Sequence, residues 1–192
     1  DVTVTRATAE ALGGRLELTG RLRGDEAGDE GLLTLSGANL TPAMALAGLD
    51  APLAGAASGT LRFRGDVGAP AGWDASGDLT VRPAGGVGTP VSGRVALALR
   101  DGRWRVGLDN GTLGSSALTL DASGVVPPGD ADIARASLDG RASFAAGSVP
   151  ALISDLRRLG VDVPDAVAGR LDGAISLDIG LGGTLSAPDV RT

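Results

Sequence analysis

The sequence predicts an all-β fold: a repetitive antiparallel sheet of about ten strands, folded over as a taco or groove like a β-solenoid, with one or two short helices. Three observations carry this expectation. Apolar and polar residues alternate along most of the chain, as strands with one buried face require. An Asp-Gly pair, Asp101-Gly102, separates two such runs as a tight hairpin turn would. A pattern of helix, glycines and alternating strand occurs twice.

In chain order, Leu16, Leu18 and Leu22 alternate with Arg15, Glu17, Thr19, Arg21 and Arg23. Leu61 and Phe63 alternate with Arg62 and Arg64, and Trp73, Leu79 and Val81 with Asp74, Ser76, Asp78 and Arg82. Then come Val95, Leu97 and Leu99; Trp104, Val106 and Leu108; Leu118 and Leu120; Leu138 and Phe144; and Leu171, Ile175, Leu177 and Ile179. A type I′ turn needs positive φ at both central residues, so the Asp101-Gly102 pair also fixes a register. Counting outward, Arg100 faces Arg103, Leu99 faces Trp104, Leu97 faces Val106 and Val95 faces Leu108, with Arg94 opposite Asp109 on the other face.

Two segments have helical spacing instead. In SVPALISDLRRLG, Ser148 is placed to cap the helix, Pro150 sits in the first turn, Leu152, Ile153, Leu156 and Leu159 form one face, and Gly160 stops it. NLTPAMALAGLDAP puts Thr41, Pro42 and Gly48 in comparable places. These segments open an internal repeat. Pro42 matches Pro150, Asp50-Ala51-Pro52 matches Asp162-Val163-Pro164, Gly55 and Gly59 match Gly169 and Gly173, and Leu61 and Phe63 match Ile175 and Leu177. The chain therefore reads as a segment of a longer array: residues 1–40 end one unit, 41–148 form a full helix-plus-strands unit, and 149–192 start the next.

Composition removes most chemistry. The 192 residues include no Cys, His or Tyr, and all seventeen cations are Arg. That leaves no His or Cys cluster for zinc, no Ser/His or Cys/His nucleophile pair, no Schiff-base lysine and no Walker lysine, so the expectation is a non-enzyme without cofactor or metal. A net charge of −6, with Arg scattered among Asp, argues against nucleic acid. No run of eighteen apolar residues offers a membrane-spanning helix, and the chain starts at Asp1 without a basic and apolar leader. Glycine is abundant at 32 residues, but 43% hydrophobic residues in alternation mark a folded chain rather than a disordered one.

The phrases ASGTLRFRGDVGAP and LDGAISLDIGLGGTLSAPDV, each after a helix, together with ASGDLTVRP and LDGRASF, resemble the TamB and AsmA-like family of envelope proteins of diderm bacteria. The resemblance covers essentially the whole chain, through motifs built of Gly, Leu and Pro. It implies a long folded-over sheet lined with apolar side chains that spans the periplasm as part of an inner-membrane-anchored protein. It implies phospholipid acyl chains as cargo, a role in outer-membrane biogenesis, and an Omp85-class outer-membrane partner engaged by regions outside this segment.

Alternating side chains point to opposite faces of a strand, so one face of this sheet is apolar and the other faces water. An apolar face left open is a trough that acyl chains enter at ~0.8 kcal/mol per CH₂; covered by a second layer, it is a core. The groove candidates are Leu61, Phe63, Trp73, Leu79, Val81, Val95, Leu97, Leu99, Trp104, Val106, Leu108, Leu118, Leu120, Phe144, Ile175 and Leu177. Two other readings stay open: a structural β-repeat stalk with a sealed core, and a chaperone-like platform that guides outer-membrane strands by edge pairing. Trp73 and Trp104 are in phase with their strands' apolar faces and read as packing, and Arg62 with Arg64 as a solvated edge. Asp25, Glu26, Asp29 and Glu30 lack calcium-loop spacing and read as a polar hairpin loop. The GGVG and GLGG runs at 85–88 and 180–183 read as turns or bulges, and the two helices as caps over an edge or mouth of the sheet.

Overall fold

A computed structural model describes residues 2–22, 28–46, 52–65, 72–86, 88–127, 135–158 and 173–191. One open antiparallel sheet organises them: β1 (Val2–Ala11), β2 (Gly14–Leu22), β3 (Asp29–Asn39), β4 (Leu53–Gly65), β5 (Asp74–Pro83), β6 (Thr89–Arg100), β7 (Arg103–Leu113), β8 (Ser116–Val125), β9 (Asp139–Ala146), β10 (Ile175–Thr184) and β11 (Ala187–Arg191). The eleven strands lie in the order of the chain, each pairing with the next. Two short helices interrupt the meander, α1 (Leu40–Leu46) between β3 and β4 and α2 (Val149–Arg158) between β9 and β10. Both leave the sheet at the same side, which we call the helix end; the opposite strand ends form the free end. The groove-like, all-β architecture expected from the alternation is the one observed.

The hairpin at 101–102 has the expected register: Arg100 opposite Arg103, Leu99 opposite Trp104, Leu97 opposite Val106, Val95 opposite Leu108 and Arg94 opposite Asp109. Asp101 and Gly102 have φ of 50° and 70°, as a type I′ turn demands. The ladder slips at Leu35/Ala38 in β3, at Ser92/Arg94 in β6 and at Leu108/Gly111 in β7. These three irregularities lie at one height across the sheet, a further one at Val4/Ala7 in β1 lying nearer the free end, and because a bulge bends its strand the three form a line of bends. Gly59 and Gly93, with φ of 153° and 146°, sit on this line in β4 and β6, where a side chain would be strained. Beyond the end of β5, the start of β4 pairs directly with the start of β6, Leu53 opposite Thr89.

Helix starts follow capping chemistry, with one shift from expectation. Ser148 Oγ accepts from the Ala151 N–H at 3.3 Å, capping α2 as anticipated. The cap of α1 is Asn39, not Thr41: its Oδ1 accepts from the Thr41 N–H at 3.0 Å. Thr41 is already helical, and its hydroxyl instead donates to the Leu53 carbonyl at 2.8 Å, tying α1 to the strand that follows.

Two loop expectations are corrected. Asp29 and Glu30 open β3, Asp29 being buried, because their backbone pairs with Gly65 and Arg64 of β4. GLGG lies inside β10, where Gly180, Gly182 and Gly183 pair with β11. Asp25, Glu26, Gly48, Asp50-Ala51, Leu159, Gly160, Asp162-Val163-Pro164, Gly169 and Leu171 lie outside the described residues.

A buried cluster lies at the helix end: Ala57, Val81, Val91 and Leu113, against which Leu40 of α1, Leu53, Val95, Leu118 and Phe144 pack. Leu152 and Ile153 of α2 are buried as well. Each side chain closed off here contributes ~25 cal/mol per Å² of apolar area removed from water.

Candidate functional site: the apolar face of the sheet

Cross-strand pairing turns the alternation of single strands into rows that cross the whole sheet. One row runs Ala7, Leu18, Leu33, Leu61, Gly77, Leu97, Val106, Ala122, Gly140 and Leu181, each residue the direct partner of the next from β1 to β10. With strands about 4.8 Å apart, this row is roughly 43 Å long. Every member is apolar or glycine. A second row, one step toward the helix end, joins Leu16, Leu35, Gly59, Leu79, Val95, Leu108, Leu120, Ala142 and Ile179. Toward the free end, Gly31, Phe63, Ala75, Leu99, Trp104 and Gly124 form a third. Nearest the helices, Gly111, Leu118, Phe144 and Leu177 continue the pattern across β7 to β10, and Ile175 lies opposite Ala146.

All sixteen expected groove residues therefore lie on one face, but not in one environment. Val81 and Leu108 are buried, and Val95, Leu118 and Phe144 pack against the closed cluster. Leu61, Phe63, Trp73, Leu79, Leu97, Leu99, Trp104, Val106, Leu120, Ile175 and Leu177 are half-buried, while the residues between them, such as Arg62, Arg64, Asp78, Ala98 and Arg105, are exposed. The described elements other than strands are α1 and α2, and both sit at the helix end. Away from them the apolar rows have no second layer among the described residues.

Glycines shape the floor of this face. The Phe63 ring lies over Gly31 of the neighbouring strand, and Leu61 over Gly77, so that any side chain at either glycine would occupy the same space. At the free end the aromatic residues gather: Phe63 and Trp73 stack with centroids 5.4 Å apart and planes 21° from parallel, and Trp104 lies in the same row as Phe63. The Trp104 indole N–H is buried with no hydrogen-bond partner among the described residues.

Leu33, Leu35 and Leu181 belong to the apolar rows without being among the expected residues. The doublet Leu32-Leu33 hides the phase of its strand, and only the pairing of Leu33 with Leu61 reveals which leucine faces the trough. A second omission is Asp155 of α2, 2% exposed, which accepts hydrogen bonds from the Ser115 N–H at 2.9 Å, the Ser115 hydroxyl at 3.0 Å and the Ser116 hydroxyl at 3.3 Å. Gly114, φ 59°, turns β7 into β8 directly beneath this carboxylate. The sequence signalled α2 by its apolar spacing, which says nothing about a polar anchor on its inner face.

The polar face carries surface pairs. Arg105 meets Asp121 at 2.6 Å, Arg6 meets Glu17 at 2.7 Å and Arg191 meets Asp189 at 3.1 Å. The hydrogen bond and charge of Asp121 raise the Arg105 pKa further above its ordinary value. Among the described residues no group of three or more acidic side chains is placed to hold a metal ion, and no helix is long and apolar enough to cross a membrane. The chain matches no family model, no curated protein and no solved structure among those compared with it.

Proposed function

We propose that this chain is a lipid-conducting segment of a TamB-like, AsmA-related protein of the cell envelope, whose apolar trough carries phospholipid acyl chains across the periplasm and so supports outer-membrane biogenesis. One observation carries the reading: an apolar row crosses ten consecutive strands, flanked by shorter ones, on a face that among the described residues has no second layer away from the helices. An acyl chain laid there gains ~25 cal/mol per Å² of apolar area removed from water without any specific polar ligand. A continuous row of Leu, Val, Ala and Gly presents no polar barrier along its length, which suits a chain that slides rather than one that is held. The head group would stay at the mouth of the trough, in water.

The closed cluster around Val91 and Leu113 favours a second reading for the helix end alone, a sealed structural core of a β-repeat stalk. Photo-crosslinking in the full-length protein in cells separates the two. A photoreactive residue replacing Leu97 in the trough should yield phospholipid adducts, and one replacing Arg94 on the polar face should not. Protein adducts without lipid at Leu97 would overturn the lipid path and favour the stalk.

A further inference from the structure

A hollow bordered by described residues lies on the polar face, opposite the trough, at the free end. It has a volume of about 920 Å³ and is lined by Arg21, Arg62, Arg64 and Arg100, with Glu30 and Asp74 as its acidic members. Elsewhere on this face the sheet gives arginine a carboxylate, as at Arg105 and Asp121. Here it does not. Arg62 lies between Leu32 and Ser76 of the neighbouring strands, and Arg100 lies opposite Arg103, a like-charge pair that costs stability. Arg64 shares its face with Arg62 two residues away, and its neighbour Glu30 is already engaged in an interaction of its own. Among the described residues none of the four guanidiniums makes an ion pair. Four arginines against two carboxylates leave a local excess of positive charge at this hollow, in a chain whose net charge is −6.

Guanidiniums are planar forks that pair with oxyanions through two parallel hydrogen bonds, and several converge best on a group with three or more equivalent oxygens. A bare phosphate fills only a small part of a hollow whose size is that of sites for larger organic ligands. The remaining wall supplies the Thr19 and Ser76 hydroxyls and the Asp74 carboxylate, groups that hydrogen-bond to alcohols. We infer that the hollow binds a phosphate ester whose alcohol part carries hydroxyl groups, of the glycerol-phosphate class, either free or as the head group of a lipid. The site lies on the face opposite the trough and stands without the lipid-path reading.

The test is an amide-shift titration of the full ¹⁵N-labelled chain with sn-glycerol 3-phosphate, using glycerol and sodium chloride as controls, beside co-flotation with phosphatidylglycerol-containing and pure phosphatidylcholine vesicles. The expected result is saturable shifts confined to strand ends around 19–21, 62–64, 74–76 and 98–100, weakened at least about tenfold in Arg62→Gln/Arg64→Gln and unchanged in Arg141→Gln, an arginine removed from β9. Arg100→Gln alone serves should the double variant not fold. Saturable shifts with flotation only on phosphatidylglycerol, competed by glycerol 3-phosphate, assign a lipid head group; saturable shifts without flotation assign a free ester. Absence of saturable shifts, equal weakening in Arg141→Gln, or the same shifts with glycerol alone would overturn the inference.

Discussion

At the helix end of the sheet, Val81, Val91 and Leu113 are at most 7% exposed, whereas Phe63, Leu97, Leu99 and Trp104 toward the free end remain half-buried on the same face. Residue type does not explain the difference, since both regions are Leu, Val and aromatic side chains on alternate positions of strands. What differs, among the described residues, is cover. Bulges near Leu35, Ser92 and Leu108 bend their strands toward the helix end, β4 reaches β6 directly there, and α1 and α2 pack at the same end. The same alternation thus yields a core where the strands are bent and capped, and a trough where they are not.

The largest expected effect is at the anchor of α2. Asp155→Ala removes the acceptor of three hydrogen bonds and should cost about 3 kcal/mol in urea unfolding, since buried donors are left unpaired. Asp155→Asn, which keeps a carbonyl acceptor, should lose less. An Asp155→Ala variant as stable as wild type would mean that α2 is not what closes that end.

Truncations compare the two regions directly. Leu113→Ala in the closed cluster should cost about 3 kcal/mol, as fully buried leucines do, and Leu97→Ala about 1 kcal/mol because its side chain already meets water. Equal losses would show the trough to be sealed. The line of bends is probed by glycine. Gly59→Ala places a side chain at φ 153° against the Asp78 carbonyl and should cost about 2 kcal/mol. Gly107→Ala, with open space around it, should stay within about 0.5 kcal/mol of wild type.

The smallest effect belongs to the polar face. Arg105→Gln breaks an exposed pair and should not be separable from wild type in a thermal melt. The folded-state pKa of Arg105 is raised, so its contribution is present below the unfolded value and lost only as pH rises through the folded one, far above neutrality. Melts between about pH 5 and pH 9 should accordingly show no pH dependence from Arg105.

Much of the fold was legible because the signals were local. The period-two pattern placed the strands, and Asp101-Gly102 fixed the β6–β7 register to the residue. The expected groove residues were separable from their polar neighbours for the same reason. Less legible were features created by distant partners. Whether Val81 would be buried and Leu97 half-buried depends on bulges and on helices joined elsewhere in the chain, and strand phase is the same for both. Asp29 read as loop because its acidic neighbours masked a strand start, and the arginines at 21, 62, 64 and 100 come to one face only once five strands are in register. Thr41 was displaced as a cap because Asn39 offers a better-placed acceptor and the Thr41 hydroxyl finds the Leu53 carbonyl.

Both tryptophans of the chain, Trp73 and Trp104, lie on the apolar face at the free end, so the protein carries its own reporter of what enters there. The most direct measurement is tryptophan fluorescence of the full chain mixed with a phospholipid whose acyl chains carry bromine, compared with the same lipid unbrominated. An uncovered trough predicts strong quenching by the brominated acyl chain, reduced in a Leu97→Gln variant that retains wild-type stability. Emission unchanged by the brominated lipid, at lipid concentrations where crosslinking or flotation shows association, would contradict an acyl-chain path along this face.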